Sequence, residues 1–233
     1  MLYTVQRSAR GLMVAAVVAA NVAFVLLGAS FDYPAVLRYP DAMARFQADA
    51  GVIGAEFALL ALGAALLAPI AWLVDRRTAW LGILAAAVQV VGLLRWPLVV
   101  PHLTDVSTFH TLNLVLGVIV GETLGYLFTA AWTAAIAWRL KGFLKWLGVV
   151  SAVMIASGVV PALGLVNFAG YLAWSVWLLV LAFRSSGSGS ISDRPSRTSS
   201  HERDVDAEGA RPGPARAGAP GADRRGGTAR VAR

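Results

Sequence analysis

The sequence predicts an all-α protein, a polytopic transmembrane bundle of about six helices. Three observations carry that expectation. Hydrophobic residues make up 58% of the chain and charged residues only 14%, against about a quarter charged in ordinary soluble domains. The charges are segregated, sparse before Arg184 and dense after it. Between them lie apolar runs long enough to cross a bilayer core, which takes roughly 20 residues at ~1.5 Å each.

The first run, 11–30, follows Arg7 and Arg10. It also has the outline of a signal peptide, with small residues at Gly28-Ala29-Ser30. Its length and the five runs that follow favour an uncleaved helix. The second, 51–74, ends at Asp75-Arg76-Arg77, and the third covers 79–101. The fourth, 109–138, is long enough to tilt or protrude. The stretch from Trp146 to Phe183 is too long for one span. Pro161, Gly164 and Asn167 offer a turn, giving helices at 146–161 and 167–183. The membrane domain is therefore 1–184.

Residues 185–233 are rich in Gly, Pro, Ser, Ala and Arg. They cannot bury enough apolar surface to offset ordering entropy and read as a disordered basic cytoplasmic tail. Its positive charge fits a solvated tail, with weak attraction to an anionic leaflet as the sharper alternative.

Orientation follows from the basic residues. Arg7, Arg10, Arg76, Arg77, Arg139, Lys141, Lys145 and Arg184 fall on one side. Arg38 and Arg45, offset by Asp32, Asp41 and Asp49, fall on the other. The positive-inside rule then puts both termini in the cytoplasm of a cell whose cytoplasmic membrane holds the chain. The net charge of +7 is topological, with no nucleic-acid partner implied.

The chain has no cysteine and three histidines, His102, His110 and His201. That excludes disulfides, thiolate metal sites and cysteine nucleophiles. No metal-ligand spacing, nucleophile motif or phosphate-cradling glycine loop is visible, so no metal and no cofactor is implied.

Charges inside a bilayer are costly and usually face the bundle interior with a partner. Glu56 and Arg95 lie at matching depths near one end of their helices, which predicts an ion pair between them. The alternative has Arg95 snorkelling alone and Glu56 protonated. Glu122 lies roughly 18 Å along its helix from His110, near the midplane. On a helical wheel it shares a polar stripe with Thr111, Tyr126, Thr129 and Thr133. It is either a protonatable site lining a cavity or relay, or a neutral acid bonded to a neighbouring helix. Gly117, Gly121 and Gly125 recur every four residues and predict close packing within the bundle, or a homo-oligomer interface.

The outer ends carry Phe31-Asp32-Tyr33-Pro34, Arg95-Trp96-Pro97, His110 and Asn113, then Asn167, Tyr171 and Trp174. They read as an interfacial aromatic belt or as a binding pocket, with Pro97 and Pro101 freeing carbonyls. An internal repeat also shows. Gly125-Tyr126-Leu127, Trp132, Ala137 and Arg139 match Gly170-Tyr171-Leu172, Trp177, Ala182 and Arg184. Trp80-Leu81-Gly82 with Gly92 matches Trp146-Leu147-Gly148 with Gly158. Chance similarity in so biased a composition is the competing explanation.

Phe31-Asp32-Tyr33-Pro34 with Leu37-Arg38, Gly92-Leu93-Leu94-Arg95-Trp96-Pro97, Leu116-Gly117 through Gly121-Glu122-Thr123-Leu124-Gly125-Tyr126, Trp132-Thr133, Asn167, Gly170-Tyr171 and Trp174-Ser175 together resemble a bacterial and archaeal membrane family. It is the one catalogued as domain of unknown function 4386. The resemblance spans nearly all of the membrane domain and not the tail. It implies a polytopic helical membrane protein, with no activity or catalytic residue to carry over. The first loop and the segment around Arg76 are shorter than that family implies.

The leading functional expectation is a protein that binds or permeates a small molecule at an outward-facing intramembrane site. The site residues are Glu56, Arg95, Trp96, His110, Asn113, Glu122, Tyr126 and Asn167. One alternative is a structural or accessory subunit with a protein partner. The other is an intramembrane enzyme using Glu122 or His110 as acid or base.

Overall fold

In the computed structural model, residues 2–184 are described, with side chains from Ser8 onward; the tail at 185–233 lies outside the described residues. The described residues are helical, with no strand among them.

α1 (Leu2–Phe31) is followed by a short 3-10 turn (Ala35–Arg38) and the small helix α2 (Ala42–Ala48). α3 (Ala50–Ala65) and α4 (Leu67–Val74) form one span broken at Leu66. Pro69 explains the break: it has no N–H to give the carbonyl of Ala65, four residues back. α5 (Ala79–Leu98) carries Pro97 in its last turn and passes into a 3-10 turn (Val100–His102).

The fourth span opens as α6 (Val106–Leu112), capped by Asp105, whose carboxylate accepts from the Thr108 N–H at 2.8 Å and the Ser107 N–H at 3.3 Å. It continues as a π-helical segment (Asn113–Leu124) and closes as α7 (Gly125–Ala137). π geometry is rare and gathers at functional sites.

Gly142, at φ 64°, turns the chain into α8 (Phe143–Ala156); only a residue without Cβ takes that angle readily. Two 3-10 turns, Ser157–Val159 and Pro161–Leu163, lead to α9 (Gly164–Arg184).

Five helical stretches are long and apolar enough to cross a membrane: Ser8–Phe31, Ala50–Val74, Ala79–His102, Val106–Ala137 and Pro161–Arg184. The helix expected at 146–161 runs Phe143–Val159, shorter than those five. The turn expected at 161–167 lies at 157–163 instead, and α9 starts at Gly164. Val160 precedes a proline and is forced to extended backbone, φ −103° and ψ 109°. That ends the helix one turn earlier than the glycine and asparagine indicated.

α5 sits at the centre, packed on α3 and α4 on one side and on the π segment and α7 on the other. α1 lies on α3, α4 and α9, and α8 fills the corner between α7 and α9. Large apolar side chains face outward around the bundle, Leu165 at 86% and Phe143 at 70% exposure. That suits a chain whose solvent is lipid.

The bundle has two ends. The basic end carries the loops at 75–78 and 138–142. The aromatic end carries the first loop, 99–105 and 157–163. Two buried clusters fill it. One, toward the basic end, holds Trp132, Trp177, Ile155 and Leu178. The other packs Phe31, Phe46, Phe57, Trp96 and Phe109.

The internal repeat has a counterpart in packing. Gly82 lies against Trp132 (a Cβ there would sit 3.4 Å from its ring) and also against Ala71. Gly148 lies against Trp177, at 2.7 Å by the same measure, and against Ala137. The two tryptophans meet edge to face at 6.2 Å between centroids, and Tyr126 meets Tyr171 at 5.9 Å.

Candidate functional site

The glycines of the fourth span decide where the site forms. Gly117, Gly121 and Gly125 all face α5. A Cβ on Gly121 would stand 2.9 Å from the Gly92 Cα, and one on Gly125 would stand 2.7 Å from Gln89. The Gly92–Gly121 crossing brings two backbones together, as small residues permit. Gly117, one turn toward the aromatic end, leaves room for the Arg95 guanidinium; a Cβ there would lie 2.5 Å from Nη2.

Arg95 is 5% exposed. Nη2 donates to Asn113 Oδ1 at 2.7 Å, and Nη1 donates to the Gly92 carbonyl. The guanidinium carbon lies 5.2 Å from the Trp96 ring centroid. Among the described residues the ion pairs are Arg45–Asp41 and Arg139–Asp75. Arg95 is thus a buried cation bonded to two neutral oxygens, with no carboxylate at ion-pair distance.

Glu122, beside the glycine crossing, is partly buried, and no hydrogen bond to its side chain is found among the described residues. Arg95, Tyr33, Tyr126 and Tyr171 are its electrostatic neighbours. Below it toward the basic end, Gln89 Nε2 donates to Thr129 Oγ1 at 2.9 Å, and Trp174 Nε1 donates to Thr133 Oγ1 at 2.8 Å. Among the described residues the buried Tyr171 hydroxyl has no hydrogen-bond partner within bonding geometry.

The expected Glu56–Arg95 ion pair is not formed. Glu56 turns toward α1, where its Oε2 accepts from Ser30 Oγ at 2.5 Å. It also lines a shallow groove of about 430 Å³ with Leu26, Gly51, Val52, Ala55 and Leu59. Arg95 points the other way, to the π segment. Matching depth does not make two residues neighbours when they face different helices.

Trp96 is fully buried and stacks on Phe57 at 4.8 Å, with Phe31, Phe46 and Phe109 around it. It is the keystone of the aromatic cluster, and only its face near Arg95 adjoins the site. His110 is exposed, its ring against Phe109, and is not among the electrostatic neighbours of Glu122. Asn113 belongs to the site through Arg95, and Tyr126 through Glu122. Asn167 is buried on the far side of Tyr126, where Nδ2 donates to the Ile155 carbonyl at 2.7 Å.

One member, Gln89, escaped the sequence reading, and Tyr33 was read only as part of the outer-end aromatic belt or pocket. Gln89 is the one amide in an otherwise apolar run, and that contrast was its signal. Tyr33 belongs to the first loop, which folds over the aromatic end. Asp32 there takes φ 53°, an angle that a short polar residue tolerates. Val36, Ala42 and Phe46 are buried beneath the loop, and Gln47 Nε2 donates to the carbonyls of Val100 at 3.2 Å and Leu103 at 2.7 Å. So held, Tyr33 reaches inward, with its ring on Phe57 and Phe24. Burial pushes its phenol well above its ordinary value; the Glu122 carboxylate adds to the shift and Arg95 opposes it.

No group of three or more His, Asp or Glu residues that could hold a metal occurs among the described residues. The chain matches no family model, no curated protein and no solved structure in the comparisons made with them.

Proposed function

We propose that this chain is a cytoplasmic-membrane protein that binds, and passes, a small molecule bearing an anionic group. In this reading both termini are cytoplasmic, the aromatic end faces outward, and the site is Arg95 with Asn113, Glu122, Tyr126 and Tyr33. The resemblance to domain of unknown function 4386 is compatible with it and adds no activity.

One observation carries the reading: a buried arginine that holds no carboxylate. A charge at membrane depth costs about 3 kcal/mol or more, and chains keep such groups where they serve a ligand or ion path. A guanidinium offers five N–H donors in a planar fork matched to carboxylates. Gly92 and Asn113 take two of them.

The test uses the full chain in lipid nanodiscs and calorimetric titration with acetate, butyrate, benzoate and inorganic phosphate. Binding of one of these to the wild type, weakened at least tenfold in Arg95→Gln, is the expected result. No binding by any of the four, or equal binding by both proteins, would overturn the reading.

A further inference from the structure

We propose that the groove between α1 and α3 is a binding site for a lipophilic amine. Its ammonium group meets Oε1 of Glu56, and its apolar chain lies along Leu26, Val52, Ala55 and Leu59. The site is separate from Arg95 and goes beyond the function proposed above.

Glu56 is 9% exposed, and Ser30 of α1 donates to its Oε2 at 2.5 Å. That contact fixes the carboxyl between the two helices. Among the described residues Oε1 has no hydrogen bond, and the ion pairs, Arg45–Asp41 and Arg139–Asp75, do not include Glu56. The carboxyl lines the groove of about 430 Å³ whose other walls, Leu26, Gly51, Val52, Ala55 and Leu59, carry no charge. That volume lies within the range of small-ligand clefts. Val52 and Ala55 are exposed, so the groove opens sideways from the bundle.

Charge complementarity selects the occupant. A lipid acyl chain would cover the apolar walls but bring no donor to Oε1. A carboxylate at membrane depth calls for an opposite charge, and an ammonium supplies that charge with three N–H donors. The chain's own buried cation does not serve, because Arg95 is bonded to Gly92 and Asn113. Depth argues for a free amine over a lipid headgroup. Glu56 lies six residues after Ala50, where the apolar span begins, or ~9 Å along the helix. A headgroup ammonium rides outside the hydrocarbon core, whereas an amine without a phosphate can sink to the level of the carboxyl.

The experiment measures equilibrium binding of radiolabelled dodecylamine to the immobilised full chain in non-ionic detergent at pH 7. Unlabelled dodecylamine, dodecanol and dodecanoate serve as competitors. The expected result is saturable binding of about one dodecylamine per chain, with both other competitors at least tenfold weaker than dodecylamine. Glu56→Gln should weaken binding at least tenfold. Ala55→Phe, which fills the groove and leaves the carboxyl in place, should do the same. Asp49→Asn removes the exposed carboxylate just before α3 and should keep the binding, as should Arg95→Gln.

Dodecanol competing as well as dodecylamine would mean that the groove takes any chain, a lipid acyl chain included, and would overturn the proposal. Unchanged binding in Glu56→Gln, binding lost in Asp49→Asn, or no saturable binding at all would overturn it too. The wild-type competition and Ala55→Phe decide the matter even if the glutamine variant does not fold. Anion binding at Arg95 stands or falls separately, by the titration with benzoate and its companions.

Discussion

Arg95 donates to the side-chain oxygen of Asn113 at 2.7 Å, tying the end of α5 to the first residue of the π segment. Removing the acceptor leaves a buried charged donor unfilled. Asn113→Leu should lose about 1–3 kcal/mol of stability, read as a lowered unfolding temperature in detergent. Asn113→Asp gives the guanidinium a permanent counterion. It should be at least as stable as the wild type and should bind benzoate at least tenfold more weakly.

Glu56 and Ser30 form a part-buried polar contact near the aromatic end. A double-mutant cycle on Ser30→Ala and Glu56→Gln should show a coupling above ~0.5 kcal/mol. The cycle on Glu56→Ala and Arg95→Ala should be additive within about that figure, because the two share no partner. Coupling in the second cycle and none in the first would contradict the geometry.

The glycine crossing predicts a ranked series. Gly92→Ala puts its methyl 2.5 Å from the Gly121 Cα, a backbone atom that cannot step aside. It should destabilise by about 1–3 kcal/mol. Gly117→Ala meets the Arg95 guanidinium and should combine a smaller loss of stability with a loss of benzoate binding. Gly51→Ala meets nothing within 4 Å and should be neutral, or stabilising by up to ~1 kcal/mol.

At the basic end, Asp75 accepts from Thr78 Oγ1 at 2.7 Å and pairs with Arg139, joining the two loops there. The Thr78 hydroxyl, and after it the Arg139 guanidinium, hold its carboxyl below the ordinary value near 3.8. A carboxyl lowered by folding contributes stability that is complete above its ordinary value. That stability is lost as pH falls through the lowered one. Asp75→Asn should therefore narrow the stability difference between pH 6 and pH 3. A wild type and a variant with parallel pH profiles over that range would count against the bridge.

The spans were legible because each is a continuous apolar run bounded by charge or proline, and hydropathy along the chain is a one-dimensional quantity. The packing of Gly117, Gly121 and Gly125 was legible too, since a small residue every four positions has few other uses. Azimuth was not. Depth along a helix placed Glu56 and Arg95 level, but nothing in the order of residues said that one faces α1 and the other the π segment. The polar stripe fared in the same way. Thr129 and Thr133 are buried and Thr111 is exposed, because a wheel drawn at 100° per residue loses phase across twelve residues of π geometry. His110 was drawn into the site by proximity in sequence, and the cap at Asp105 instead leaves it on the outer face of α6.

The two copies of the internal repeat run 45 residues apart where Gly125, Tyr126 and Trp132 align with Gly170, Tyr171 and Trp177. At the same offset, Glu122 aligns with Asn167. Gly92 of the first copy packs against Gly121, the residue before Glu122, and Gly158 of the second packs against Asn167. Asn167 is bonded to the Ile155 carbonyl and carries the same charge at every pH. Glu122 is a carboxyl with no such bond among the described residues. The molecule therefore holds its own reference state: one half shows what the position is as a fixed joint, and the other keeps it chemically unspent.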